Sequence, residues 1–347
     1  MTRAGDGRPL RVVLIGFGNV GRTLAGILAD PSPYPGLEGL AVSVVAITTG
    51  SSGALANPAG IALGSALAEY RTAGRFTPDH PDHTDLGTLD ALTCLGYDAI
   101  VETSPLNVVR RGEPALSHAR AALERGRHVV TANKGPVAWS YRSLMALAAQ
   151  KGARFLHEAT VMDGAPVFNL ARHCLRGATV LGVEGILNST TNWVLGAVER
   201  GASVAHALEE ARRAGVAEAD PSLDLDGWDT AVKLSALANA LMHTELRPED
   251  VERQTLAGVD LARVRDAPGR GRRLKMVAVA SRAGGRVLGS VEAREVPLGH
   301  PFALVEGTGS ILRITTDLLG SISLIEEAPD LRATAYGILS DLLSLAG

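Results

Sequence analysis

Between Glu218 and Lys233 the chain places five carboxylates and one lysine within sixteen residues, Glu218-Ala-Asp-Pro-Ser-Leu-Asp-Leu-Asp-Gly-Trp-Asp-Thr-Ala-Val-Lys233. Pro221 and Gly227 break the first half into turns, which puts Glu218, Asp220 and Asp224 on loop. From about Trp228 the pattern predicts a helix that runs on to Leu241, and Asp229 and Lys233, four residues apart, share one of its faces. On a solvated face such a pair is worth only about 0.3–0.5 kcal/mol and does no chemistry. Trp228, Val232, Leu234, Leu237 and Leu241 argue against that reading, because they bury most of the helix. A lysine and an aspartate beside so much apolar surface read as walls of a cleft, where burial tunes a lysine for proton transfer.

The other end of the chain indicates what that cleft works with. Leu10-Arg-Val-Val-Leu-Ile15 is a β-branched apolar run of strand length, Gly16-Phe-Gly-Asn-Val-Gly21 follows directly, and a helical pattern covers residues 22–29. Strand, GxGxxG and helix in that order form the dinucleotide-binding fingerprint. The first glycine allows the tight turn, the second admits the pyrophosphate, and the third lets the helix pack close on the strand. The pyrophosphate then sits on the helix N-terminus, where free N–H groups point at it. In a chain with 39 glycines a lone GxGxxG is weak evidence; the strand just ahead of it gives it weight. Gly16, Phe17, Gly18, Asn19, Val20 and Gly21 are therefore expected at the cofactor. A second strand, residues 40–47, ends in Thr48-Thr-Gly-Ser-Ser-Gly53. An acid there would hold the ribose 2′-hydroxyl of NAD, and an arginine would accept the 2′-phosphate of NADP. Thr48 and Thr49 offer only hydroxyls and backbone amides, so the reading leans to NADP and leaves NAD open.

Alternating strand and helix signals continue to about residue 135, with a helix at 66–70, a strand at 97–104, a helix at 115–125 and a strand at 128–133. This rhythm predicts a Rossmann-type doubly wound parallel sheet over residues 1–140. Ligands of such sheets bind beyond the carboxyl ends of the strands, where Ser104, Pro105, Asn133 and Lys134 fall. Lys134 could be a solvated charge; its place between Asn133 and Gly135-Pro136 favours a role at the site. Beyond it the pattern changes. Residues 155–161 are strand-like, 162–166 turn, 167–175 are helical, and a strand at 180–187 closes on Asn188-Ser-Thr-Thr-Asn192 before a helix from Trp193. Further strands are expected at 275–280, 287–293 and 311–315. Strands without regular helical crossovers predict a second, α+β domain of mixed sheet over 141–330, for substrate and dimerisation. A last helix, at about 331–347, is expected to pack back on the first domain.

Composition narrows the function. At 347 residues two domains are the natural expectation. A net charge of −3 without a basic run argues against nucleic acid. The apolar runs are too short to span a bilayer, and Met1-Thr-Arg-Ala-Gly-Asp-Gly7 has no signal-peptide pattern. Cys94 and Cys174 lack metal-ligand spacing and read as reduced thiols of a cytoplasmic protein. Nine histidines form no HxxxH or HxH cluster, so no zinc site is indicated.

Five motifs in order, Gly16-Phe-Gly-Asn-Val-Gly21, Thr131-Ala-Asn-Lys134, Glu158-Ala-Thr-Val161, Gly185-Ile-Leu-Asn-Ser-Thr-Thr-Asn192 and Glu218 to Lys233, make the chain resemble the homoserine dehydrogenases to about residue 320. The resemblance implies reversible oxidation of L-homoserine to L-aspartate 4-semialdehyde with NAD or NADP, in threonine, methionine and isoleucine biosynthesis. It implies Lys233 as proton carrier with Asp229 beside it, Glu218 on the substrate ammonium, Asp224 supporting the site, and Lys134 between nicotinamide and substrate. It also implies a homodimer and a monovalent cation, usually sodium, bound by oxygens that fall by position on Glu158, Val161, Asp163 and Ala165. The chain departs from the family twice. Val161-Met-Asp-Gly164 stands where relatives have Val-Gly-Gly-Gly, so a carboxylate that strengthens or displaces the cation lies at the turn. Glu326-Glu-Ala-Pro-Asp330 replaces a glycine-rich segment that touches the cofactor in many relatives. With Gly347 as the last residue, neither an appended regulatory domain nor a fused aspartate kinase is expected.

The chemistry asks for these residue types. Removing a hydride from the hydroxyl carbon requires the O–H proton to leave as well, and a positioned lysine that shuttles it is worth roughly 10²–10⁴-fold. In reduction the same ammonium polarises the aldehyde, and the redox step itself belongs to the nicotinamide. A non-catalytic NAD(P)-binding sensor of this fold would keep the glycine loop without needing Lys134, Asp229 and Lys233 together. An acyl-phosphate reduction would need a cysteine nucleophile at a strand end, and neither Cys94 nor Cys174 is placed there.

Overall fold

In the computed structural model, which describes residues 8–346, the chain divides into two units. Met1-Thr-Arg-Ala-Gly-Asp-Gly7 and Gly347 lie outside the described residues. The first unit takes in the chain to Pro136, Ser140–Pro166 and the segment from Asp330; the second takes in Val137–Trp139 and Val167–Pro329.

The first unit is built on short, buried, β-branched runs. Leu10–Ile15 (β1), Val42–Thr48 (β2), Ala54–Ala56 (β3), His83–Thr84 (β4), Ala99–Glu102 (β5), His128–Thr131 (β6) and Phe155–Leu156 (β7) pair in the order β4-β3-β2-β1-β5-β6-β7. The core of that sheet, β2-β1-β5-β6-β7, is parallel, while β3 and β4 join antiparallel at one edge. Helices Asn19–Ala29 (α1), Leu63–Ala73 (α2), Thr88–Cys94 (α3), Ala115–Glu124 (α4) and Lys134–Gln150 (α5) supply the connections. Parallel pairing requires such crossovers, and a sheet-and-helix alternation of this kind is what the sequence rhythm predicts.

The C-terminal helix, Leu331–Ala346, buries Ala335, Ile338, Leu339 and Leu342 in the same apolar cluster as Val12, Leu14, Leu24 and Ala25. The expected boundary at 140 moves, because residues 140–166 stay with the first unit. The strand expected over 155–161 is shorter. It leaves the sheet after Leu156, and Glu158–Thr160 wind into a 3₁₀ turn whose Glu158 N–H donates to Asp341 Oδ2 on the C-terminal helix at 2.9 Å.

The second unit holds a mixed sheet. Val180–Ile186 (β8), Glu252–Arg253 (β9), Arg272–Ala283 (β10), Arg286–Pro297 (β11), Ser310–Thr316 (β12) and Gly320–Glu326 (β13) pair in the order β13-β12-β8-β10-β11-β9, with only β9 and β11 parallel. The helices that matter here are Val167–Cys174 (α6), Ser189–Glu199 (α7), Val204–Arg213 (α8), Ser222–Leu225 (α9) and Trp228–Leu241 (α10). Eleven of the residues of α10 are buried, as its apolar composition requires. Asn239 fastens its far end: Nδ2 donates to Ala138 O and Leu246 O, and Oδ1 accepts from Leu246 N–H at 2.8 Å. Among the described residues no helix is long and apolar enough to cross a membrane.

Candidate active site

The glycine loop has the geometry that its sequence predicts. Gly16 adopts φ 90°, and a Cβ there would lie 2.8 Å from the Thr103 backbone; a Cβ on Gly21 would lie 2.6 Å from Gly16 O. Gly18 faces the other way, with no atom within 4 Å of where its Cβ would be. It is also the N-cap of α1 and supplies no side-chain acceptor, so the first N–H groups of an eleven-residue helix open onto that space. Open room beside uncapped donors fits a pyrophosphate. Phe17 sends its ring into the core against Tyr70 (5.2 Å between centroids) and Phe76 (5.1 Å), leaving its backbone to the loop. The Asn19 side chain accepts from Arg22 at 2.8 Å.

The strand ends beside this loop are joined by hydrogen bonds. Glu102, fully buried at the end of β5, accepts from Ser104 N–H and lies 2.7 Å from His118 Nδ1. Asn133 caps α5 by accepting from Gly135 N–H at 2.8 Å, while its Nδ2 donates to Ser104 O and Pro105 O. Lys134 is the first residue of α5. At the end of β2 the Thr48 hydroxyl is buried and accepts from Thr88 at 3.0 Å. The Thr49 hydroxyl donates to Gly53 O and accepts from Ser52 N–H. Both side chains are thus engaged within the protein.

In the second unit the acidic segment folds onto the end of β8. Asp224 lies on the short helix α9 rather than on loop, because Pro221 starts a helical turn that Gly227 ends. The helix expected from Trp193 begins instead at Ser189, with Asn188 as N-cap accepting from Thr191 N–H at 2.8 Å. Asn188 thereby presents Nδ2 to both acids, donating to Asp224 Oδ1 at 2.8 Å and Asp229 Oδ2 at 3.1 Å, and Thr190 donates to Asp224 Oδ2 at 2.7 Å. Lys233 Nζ lies 3.1 Å from Asp229 Oδ2, one helical turn away, and donates to Leu187 O at 2.7 Å.

Burial, with the neighbouring Asp229 charge added to it, pushes the Asp224 carboxyl above the ordinary range; the bonds from Thr190 and Asn188 and the Lys233 charge oppose that rise. A partly buried lysine, held by one carboxylate and one carbonyl beside a carboxyl of raised pKa, is an arrangement suited to moving a proton. Behind it Arg253 stacks on Trp228, 3.7 Å from the ring centroid, and steadies the start of α10. Glu218 stands exposed ahead of α9 and makes no hydrogen bond or ion pair among the described residues. Asn188, Thr190 and the Leu187 carbonyl were given no role by the sequence reading. The one signal for them was the polar run Asn188-Ser-Thr-Thr-Asn192 at a strand end.

The segment Glu158 to Ala165 belongs to the first unit. Glu158 is buried, Met162 and Asp163 take left-handed backbone (φ 57° and 46°), and Asp163 Oδ1 accepts from Thr334 on the C-terminal helix at 2.7 Å. Among the described residues no three His, Cys, Asp or Glu side chains gather as a metal cluster.

Comparison with known proteins agrees with both units. The homoserine dehydrogenase family profile matches residues 166–343, and the profile of the homoserine dehydrogenase NAD-binding domain matches 16–158. The NAD(+)-dependent homoserine dehydrogenase of Pseudomonas canavaninivorans is 36% identical over 343 residues, covering 96% of each chain. The homoserine dehydrogenase of Methanocaldococcus jannaschii is 33% identical, covering 96% of this chain and 98% of that one. Among solved structures, a putative homoserine dehydrogenase of Archaeoglobus fulgidus superposes with a TM-score of 0.85 at 31% identity, over 97% of this chain and 99% of that one. A hyperthermophilic archaeal homoserine dehydrogenase in complex with NADPH gives 0.82 at 28%, over 97% and 98%. With a parallel-sheet nucleotide unit, a mixed-sheet second unit and these relatives over nearly its whole length, the chain belongs to the homoserine dehydrogenase family, whose members are NAD(P)-dependent oxidoreductases.

Proposed function

We propose that this protein interconverts L-homoserine and L-aspartate 4-semialdehyde with Lys233 as the proton carrier. The observation that carries this reading is the Lys233 Nζ held between Leu187 O and Asp229 Oδ2. When bound, the nicotinamide supplies hydride transfer at the hydroxyl carbon. Lys233 takes the hydroxyl proton in oxidation and returns it to the carbonyl oxygen in reduction, and Asp229 holds it at that oxygen. Asn188 and Thr190 fix Asp224, which supports Asp229 and Lys233 from behind. Glu218, exposed and without a partner among the described residues, is assigned to the substrate ammonium, and Lys134 to the nicotinamide end of the reaction. Glu218→Gln keeps the shape and removes a charge-assisted bond. The KM for homoserine is expected to rise far more than that for the cofactor, and equal changes in both would remove the assignment.

The pyrophosphate is assigned to the loop Gly16 to Gly21 and the N-terminus of α1, and the nicotinamide side to Ser104, Pro105 and Asn133. For the 2′ position we assign NADP, with NAD also accepted. No acid stands at Thr48-Thr49 to repel the phosphate, yet no arginine stands there to bind it, so discrimination is expected to be modest. With the side chain of Thr48 buried, only Thr49 is left to reach the ribose at this strand end. Thr49→Asp is expected to bias turnover efficiency towards NAD, by attraction to the ribose hydroxyls and repulsion of the phosphate. An unchanged NAD/NADP ratio would show that this turn does not reach the ribose.

The turn from Glu158 to Ala165 offers one buried carboxylate and a run of carbonyls, hard oxygen donors of the kind alkali and alkaline-earth cations take. We assign a monovalent cation, sodium, to Glu158, Val161, Asp163 and Ala165. Because Thr334 holds the Asp163 carboxylate, that extra acid is kept in place at the turn. Replacing sodium and potassium by tetramethylammonium is expected to lower turnover, and full activity without alkali cations would remove the site.

A homodimer completes the reading. Leu181, Leu288 and Ile325 stand exposed on β8, β11 and β13, apolar positions on one sheet that a second copy would cover. Sedimentation should give twice the mass of the chain, and a monomer at working concentration would contradict this. The two exposed free thiols, Cys94 and Cys174, suit a reducing cytoplasm; secretion of the native protein would exclude it.

A further inference from the structure

Lys275, on β10, is 3% exposed and forms no ion pair among the described residues. Its Nζ donates to two neutral oxygens, Asn192 Oδ1 at 2.9 Å and Val305 O at 2.6 Å. A buried cation with only neutral partners is costly, and a third N–H remains beyond those two bonds. Lys275 lines a cleft of about 430 Å³, counting its open mouth, within the second unit. Most of that volume is open mouth, so the enclosed part has room for a compact ion rather than a drug-sized ligand. None of Asn188, Thr190, Asp224, Asp229 and Lys233 lines it.

The other walls are charged. Arg273 bridges Glu199 (Nε to Oε1, 3.1 Å) and Glu306, so the acids of the cleft are already paired. Arg200, exposed at the end of α7, adds a second positive charge. Lys275, Arg273 and Arg200 against Glu199 and Glu306 leave the lining one positive charge in excess. Trp193, also in the lining, has its indole N–H buried without a partner among the described residues. Such donors are seldom left unmet.

We propose that this cleft is a binding site for a compact oxyanion, a sulfate- or phosphate-like group or a carboxylate, which supplies the counter-charge that Lys275 lacks. Burial, with the Arg273 and Arg200 charges added, pushes the Lys275 pKa down to about 8, against the pull of Glu199 and Glu306. Binding therefore weakens as pH rises through that value; the other charged groups facing Lys275 are Arg273, Arg200, Glu199 and Glu306.

The test titrates the full chain with sodium sulfate and, separately, sodium acetate. Ionic strength is held with chloride, and saturating NADP fills the glycine loop. Calorimetry and tryptophan fluorescence should show one saturable site, and the arm that saturates names the oxyanion class. Lys275→Met should weaken binding at least about tenfold, the loss expected for a hydrogen bond to a charged group. Should that variant fail to fold, Arg200→Gln must weaken binding while homoserine turnover stays at the wild-type level. Failure of both anions to saturate, or affinity unchanged in the variants that fold, overturns the proposal.

Discussion

Lys233→Ala is expected to give a folded protein that binds NADP as the wild type does and turns over homoserine at least about 10²-fold more slowly, the smallest loss consistent with a positioned proton carrier. The helix should survive. Alanine has the highest helix propensity, and α10 is fixed by its buried face and by Asn239 rather than by the lysine. The cofactor loop belongs to the other unit, so fluorescence of bound NADPH separates loss of chemistry from loss of structure. A variant that kept more than about a tenth of wild-type turnover would fall short of the roughly 10²-fold minimum and remove Lys233 from the proton path.

Asp229→Asn is expected to be nearly as damaging and to act differently. The amide keeps the size of the side chain but loses the charge that faces Lys233 Nζ at 3.1 Å. A charge-assisted hydrogen bond of about 1.5–3 kcal/mol corresponds to roughly 10- to 150-fold in turnover. The same change removes the like charge that, after burial, does most to raise the Asp224 carboxyl. The Asp224 pKa should therefore fall in the variant, as a carboxyl-carbon NMR titration can read. If the signal titrates unchanged, the two acids are not coupled through Asn188 as the hydrogen bonds indicate.

Much of this was legible in the sequence because it is local. The order strand, Gly16 to Gly21, helix is a matter of neighbours, and the four-residue spacing of Asp229 and Lys233 fixes their shared helix face wherever the helix goes. What was not legible depends on distant contacts. Asn188 meets Asp224 across 36 residues, and no spacing rule shows that its amide serves two acids at once. Thr48 looks open at a strand end. Its hydroxyl is instead buried and accepts from Thr88, 40 residues on. The segment from Glu158 to Ala165 falls within the expected second domain because the alternating strand and helix pattern ends ahead of it. It stays with the first because β7 extends the parallel sheet and Asp341 and Thr334 of the C-terminal helix hold the turn. Strand β13 is absent from the sequence reading: its apolar positions Ile322 and Leu324 are only half-buried, and pairing with β12 fixes it as strand.

The central claim is that the cluster at the end of β8 and on α9 and α10 serves the oxidation of homoserine by the nicotinamide, moving the hydroxyl proton through Lys233. The most direct measurement follows NADPH and NADH formation at 340 nm with L-homoserine, in wild type and Lys233→Ala, under the same cofactor saturation. The account predicts homoserine-dependent formation of reduced cofactor in the wild type and its near-complete loss in the variant. Absence of homoserine-dependent reduction of either cofactor by the folded wild type, or its persistence in the variant, would contradict the account.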